Sequence, residues 1–137
     1  MATVEFKVRE SVAHIELSRP EALNAISSEL ARELVAVTAT VAADSNIHAV
    51  VLTAAGDRAF CVGADLKERN AMSDADFRAQ RTLFRAAFGG VLNLPQPTVA
   101  GSSEHDRVNI AIGRNRCGDG DQLARQLGGD GVERLGS

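Results

Sequence analysis

Apolar and polar residues alternate over Val4-Glu5-Phe6-Lys7-Val8, and again over Ser11-Val12-Ala13-His14-Ile15-Glu16-Leu17. A period of two puts successive side chains on opposite faces, so both segments read as half-buried strands. Glu10-Ser11 supplies a turn between them, giving an opening hairpin. Pro20 ends the second strand, because it donates no N–H and restricts Arg19. The period then lengthens. Leu30, Leu34, Val37 and Val41 recur at helical spacing and predict a helix from about Ser28 to Ala43, capped by Ser27 or Ser28. Ala49-Val50-Val51-Leu52-Thr53 is a continuous apolar run, the mark of a strand covered on both faces. Ala54-Ala55-Gly56-Asp57 reads as a turn. Ser73 caps a second long helix, with Asp76 as a minimal capping box. Phe77, Phe84, Phe88 and Val91 form its stripe, and Gly89-Gly90 and Pro95 weaken and end it. A further strand starts at Pro97 to Ala100. The fold class is α/β, and the apolar stripes read as ordinary core.

Composition changes sharply near residue 100. A chain of 137 residues would normally be one domain. All five phenylalanines precede Gly101, whereas eight of the twelve glycines lie from Gly101 onward. The tail has no aromatic residue and few apolar ones, too little to offset the entropy of ordering it, so it is expected to be largely disordered. Its origin is readable in the codons. Reverse complementation turns alanine codons into Gly, Arg, Ser or Cys codons, and valine codons into Asp, Asn, His or Tyr codons. Run backwards under this rule, Arg19 to Arg58 yields a permitted codon pair at all 40 positions from Thr98 to Ser137. Ser137 pairs with Arg19, Leu135 with Glu21, Asn115 with Val41 and His105 with Val51. The match breaks at Pro97 against Ala59. The tail is therefore identified as an antisense translation of the gene's own early coding region, from an inverted duplication or an assembly error. Two units follow: residues 1–100, and a tail over residues 101–137.

The net charge of −3, without a basic cluster, argues against nucleic-acid binding. The sequence holds no apolar run long enough for a membrane span. The N-terminus lacks a secretory pattern. Two cysteines, Cys61 and Cys117, fit a reducing cytoplasm better than a disulfide scaffold.

Candidate chemistry centres on Cys61-Val62-Gly63-Ala64-Asp65-Leu66-Lys67. Gly63 allows a backbone turn that other residues resist. Small side chains at Gly63 and Ala64 let a ligand approach main-chain N–H groups, and such preset donors stabilise a carbonyl that gains negative charge. On the residues alone, Gly-Ala-Asp after an apolar turn is usually just a tight loop. Cys61 reads as a small packed residue, since no base accompanies it. His14 and His48 read as structural. Glu104 and His105 invite an acid/base reading and Gly118-Asp119-Gly120-Asp121 a calcium reading. Both are better explained as the antisense of earlier Leu, Val and Ala codons. Cys117 with His105 lacks zinc spacing, and no metal site is expected.

Three ordered segments carry a family resemblance. Leu17-Ser18-Arg19-Pro20-Glu21-Ala22-Leu23-Asn24-Ala25 resembles the CoA-contacting segment of the enoyl-CoA hydratase/isomerase (crotonase) family. Ala59-Phe60-Cys61-Val62-Gly63-Ala64-Asp65-Leu66-Lys67-Glu68 resembles its oxyanion loop. Pro95-Gln96-Pro97-Thr98-Val99-Ala100 resembles the approach to its next strand. The resemblance covers residues 1 to about 100 and implies a truncated crotonase-like ββα spiral. It implies that the Ala64 N–H is one of two oxyanion donors and that Ala22 and Leu23 line the adenine end. Gly63 lets the ligand approach, and Asp65, Leu66 and Lys67 border the CoA and pantetheine path. The read-alone alternative for Lys67 is a solvated lysine at a helix start. The implied partner is an acyl-CoA thioester, as in fatty acid metabolism and lyase chemistry. No cofactor is implied beyond the coenzyme A of the substrate. Members form homotrimers or hexamers. The glycine-rich turn and glutamates expected after Ala100 are absent, so the chain is expected to be inactive as a hydratase. Its uncovered apolar faces are expected to favour aggregation. A non-catalytic fragment that docks on intact family subunits is the alternative.

Overall fold

The computed structural model describes residues 2–101 and 111–112. Strand β1 (Val4–Arg9) and strand β2 (Val12–Leu17) form the expected antiparallel hairpin, with Val4 opposite Leu17 and Arg9 opposite Val12. Glu10 and Ser11 make its two-residue turn at φ 51° and 65°. Positive φ at both positions matches the twist of the flanking strands. A single 3-10 turn at Pro20–Ala22 leads to helix α1 (Ser28–Ala43). Of the two candidate caps, Ser27 is the one used: its Oγ accepts the Leu30 N–H at 3.1 Å. Strand β3 (Ala49–Ala54), the short helix α2 (Leu66–Asn70), helix α3 (Asp74–Leu92) and strand β4 (Thr98–Ala100) follow. Ser73 caps α3 by accepting the Asp76 N–H at 3.2 Å. The sheet order is β1-β2-β3-β4-β5, with β3 parallel to both β2 and β4. Strand β5 (Ala111–Ile112) pairs antiparallel with β4. Two residues of the tail thus join the sheet, which the tail's composition did not suggest. Glu104, His105, Cys117 and Gly118 to Asp121 lie outside the described residues.

The register puts Val4, Ala13, Ile15, Leu17, Val50, Ala54 and Thr98 on one buried face. Helix α1 lies against the hairpin side of this face, and α3 packs on α1. Leu30, Ala31, Leu34 and Val41 of α1 complete the core, with Thr38 among them where the stripe had placed Val37. Two expectations need correction. Strand β3 is covered on one face: Val50 and Ala54 are buried, whereas Val51 and Thr53 are half-exposed. The apolar stripe of α3 faces inward except at Phe88: Phe84 and Val91 pack against the core. Gln80 and Ala87 are the buried residues of this helix, while Phe88 is 48% exposed. Helix α3 passes through Gly89-Gly90 and ends at Leu92, ahead of Pro95, as expected. A Cβ at Gly90 would collide with Thr38 Oγ1, so the glycine that weakens the helix by propensity also brings two helices together. Among the described residues no helix is long and apolar enough to cross a membrane.

Candidate functional site

The candidate site is assembled by a short parallel bridge between two loops. The Ile26 N–H donates to the Gly63 carbonyl at 2.7 Å, and the Asp65 N–H donates to the Ile26 carbonyl at 3.0 Å. In this pattern Ala64 sits opposite Ile26, but its own N–H points the other way. The Ala64 N–H makes no hydrogen bond to any described residue. Gly63 reaches this geometry at φ 98°, a conformation that side-chain-bearing residues resist, although its Cβ position is open space. The Ala64 N–H thus follows a left-handed glycine and has no partner among the described residues.

The same bridge brings the two resemblance-bearing segments together. Ala22 and Leu23 are half-buried in the turn that precedes Ala25-Ile26, and Leu23 adopts a left-handed φ of 54°. Leu66 and Lys67 open α2 and are exposed, Leu66 by 65%. Gly63 is exposed as well. Cys61 is half-buried, and its Sγ accepts the Gly63 N–H at 3.4 Å, consistent with a packed loop residue. Asp65 faces inward. Its Oδ1 accepts the Glu68 N–H at 3.2 Å as the cap of α2, and its Oδ2 meets Arg19 Nη2 at 3.1 Å.

Three groups that the sequence reading did not single out hold the site. Asn24 is fully buried at φ 55°. Its Oδ1 accepts the Arg19 N–H at 2.8 Å, and its Nδ2 donates to the carbonyls of Ala55 at 2.8 Å and Ala59 at 3.3 Å. Arg19 Nη1 donates to the Ala25 carbonyl at 2.7 Å. Glu68 reaches back to α1, where both carboxylate oxygens accept the Ser28 N–H at 3.1 Å, and it also meets Ser28 Oγ and Gln80 Nε2. A groove of roughly 770 Å³ runs between α1, α2 and α3, lined by Arg19, Ser28, Arg32, Asp65, Glu68 and Gln80 among others. Ala64 is not on its wall, so the groove lies beside the free donor and not over it. Among the described residues no group of three or more His, Cys, Asp or Glu side chains is placed to hold a metal.

The hydrogen bond from the Glu68 N–H holds the Asp65 carboxyl below its ordinary value of 3.8; partial burial opposes this, and Arg19 adds to it. The sign follows directly. A depressed pKa contributes stability above the unfolded value of 3.8, and this contribution is lost as pH falls through the lower folded value. Amide exchange at Asp65 is therefore expected to be unchanged from neutral pH down to about pH 5 and to quicken below 3.8, once the intrinsic pH dependence is divided out. Quickening already near neutral pH would contradict this assignment.

Comparison with known proteins agrees with this geometry. The Enoyl-CoA hydratase/isomerase family model matches residues 7–103. The Bacillus subtilis protein YngF is 40% identical over 91 residues, covering 66% of this chain and 35% of that protein. The short-chain-enoyl-CoA hydratase of Clostridium acetobutylicum is 35% identical over 89 residues, covering 65% and 34%. Among solved structures, an enoyl-CoA hydratase from Bacillus anthracis superposes with a TM-score of 0.68 at 32% identity, over 89% of this chain and 44% of that one. The chain thus spans about a third of the length of these two curated relatives. With a family model matching most of its length and the fold shared with solved members, the chain belongs to the enoyl-CoA hydratase/isomerase family.

Proposed function

We propose that this chain holds an acyl-CoA thioester, with the Ala64 N–H donating to the thioester carbonyl, and that these 137 residues do not themselves hydrate it. The family acts on acyl-CoA thioesters. The observation that carries the reading is the Ala64 N–H, turned outward by the bridge to Ile26 and left without a partner among the described residues. A backbone donor fixed in advance stabilises the oxygen as it gains charge, without reorganising when the substrate arrives. Ala22 and Leu23 line the adenine end. Gly63, Leu66 and Lys67 border the path of the pantetheine arm. Hydration also needs a group to take a proton from water and another to give one to the substrate. The two carboxylates that follow the donor in the loop and α2 are already committed, Asp65 to Arg19 and the α2 cap, Glu68 to Ser28 and Gln80. Neither is free to act as a base.

The test uses crotonyl-CoA labelled at the thioester carbonyl. Difference infrared spectra are expected to show the carbonyl stretch moved to lower frequency on binding. Replacing the Ala64 peptide N–H by an ester oxygen, by semisynthesis, is expected to abolish the move. A shift that survives this replacement rejects Ala64 as the donor. Turnover of crotonyl-CoA by the purified chain would overturn the non-hydrating part.

A second reading is favoured by one observation. Phe88 and Leu92 leave α3 48% and 51% exposed, a face suited to docking on intact family subunits. Co-expression with a full-length homologue followed by size-exclusion chromatography decides it, and clean separation of the two chains counts against docking.

A further inference from the structure

The bridge that aims the Ala64 N–H has only two hydrogen bonds of its own, at 2.7 and 3.0 Å. A pair of bonds between two loops leaves the loops free to hinge unless something outside the pair holds them. Arg19 supplies that hold. Its Nη1 donates to the carbonyl of Ala25, the residue before Ile26, and its Nη2 meets the carboxylate of Asp65, the residue after Ala64. One planar guanidinium thus spans both strands of the bridge from one side. Its fork geometry transmits orientation as well as distance, which the point charge of a lysine does not. Both ends of the clamp are fixed. The Arg19 N–H is held by Asn24 Oδ1 and the Arg19 carbonyl accepts the N–H groups of Ala22 and Asn24. The second Asp65 oxygen is engaged by the Glu68 N–H, so the carboxylate plane cannot swing. The Ala64 N–H shares its peptide plane with the Gly63 carbonyl, which the Ile26 N–H holds, and that N–H shares its plane with the Ala25 carbonyl held by Arg19, so the clamp reaches the donor through two rigid peptides.

We propose that Arg19 is a positioning residue, which fixes the direction of the Ala64 N–H by clamping the Ala25 carbonyl and the Asp65 carboxylate across the Ile26–Ala64 bridge. The role toward substrate rests on the reading of Ala64 as the thioester donor; the clamp itself does not. Arg19 touches no reacting atom in this scheme and acts only through Asp65 and Ala25.

The experiment compares the full chain with Arg19→Met and Arg19→Lys by two readouts. The first is amide exchange without ligand. In Arg19→Met the Ile26 and Asp65 amides are expected to exchange at least about tenfold faster, while the Val50 amide and other strand amides stay within about twofold, because local opening is separable from global unfolding. Arg19→Lys is expected to fall between, and it serves if Arg19→Met does not fold. Unchanged Ile26 and Asp65 amides, or acceleration of every amide together, would overturn the clamp. The second readout is the carbonyl stretch of saturating labelled crotonyl-CoA. In Arg19→Met most of the downward shift is expected to be lost at full occupancy, separating aim from affinity. A full shift in Arg19→Met overturns the role toward substrate. A wild-type chain that moves no carbonyl overturns the thioester reading, and unchanged bridge amides overturn the clamp alone.

Discussion

Asn24→Ala is expected to cost about 3 kcal/mol of unfolding free energy in urea, among the larger effects of a single truncation. The side chain has no exposed surface and satisfies three backbone groups on two loops: Arg19 on its own loop, Ala55 and Ala59 on the loop after β3. Removing it leaves the Arg19 N–H and two carbonyls without their partner inside the fold. Each such group costs about 1–3 kcal/mol when it stays buried and unpaired. The backbone adds to this. Asn24 sits at φ 55° directly after Leu23 at φ 54°. Asparagine tolerates the left-handed region better than alanine does, so the substitution strains a turn that is already unusual. Asn24→Asp is expected to be at least as damaging, because it sets a second oxygen against the carbonyls of Ala55 and Ala59. A loss below about 1 kcal/mol for Asn24→Ala would mean that water or a rearranged loop replaces the amide, and the hub assignment would fall.

Gly90→Ala comes next in size, and here the usual sign of a helix substitution is reversed. In an open helix this change gains up to about 1 kcal/mol. At this position the new methyl would meet Thr38 Oγ1, in a side chain that is buried and donates to the Leu34 carbonyl at 2.8 Å. Overpacking a close helix contact costs about 1–3 kcal/mol, so the net expectation is a loss of about 1–2 kcal/mol. Thr38→Ala removes the colliding oxygen, and the double variant is expected to recover most of that loss. The non-additivity, read from urea unfolding of all four chains, measures the contact itself. Additive effects would place the two helices farther apart at this point.

The elements that the sequence disclosed are those set by local pattern. The hairpin turn falls at Glu10-Ser11, α1 runs from Ser28 to Ala43 and Ser73 caps α3, all where periodicity and capping chemistry put them. Of the short α2 only the helix start at Lys67 was legible, because five residues carry less than two turns of periodicity. On α3 the stripe was misplaced at Phe88, because phenylalanine marks hydrophobicity and not what lies opposite. Gln80 is buried because Ser28 and Glu68 meet its amide, while Phe88 meets the Phe84 ring edge-on and stays exposed. In the candidate site, the small size of Gly63 and Ala64 marked a tight loop, and the family resemblance singled them out within it. Asn24 was not legible, although its neighbours Ala22 and Leu23 were named. Its role lies in carbonyls 31 and 35 residues away, and no local rule announces such a contact. Thr98 to Ala100 fits two descriptions at once. It belongs to the span complementary to Arg58-Asp57-Gly56, and it is the strand β4 that pairs with β3. Complementary coding and a usable strand are not exclusive, since valine, threonine and alanine suit a sheet whatever their history.

The three-way hold of Asn24 also sets an order of events on the ribosome. Strands β1 and β2, α1 and β3 are consecutive in the chain and adjacent in the fold, so they can associate as they emerge. The Asn24 amide, by contrast, must wait for Ala55 and Ala59, and Arg19 must wait for Asp65, 46 residues downstream. Until that stretch clears the exit tunnel, the growing chain carries an unsatisfied amide and an unpaired guanidinium beside a partly built core. A pause in translation between codons 24 and 65 would prolong that state, the one most open to chaperone capture, with the loop bridge closing only after β3 has emerged.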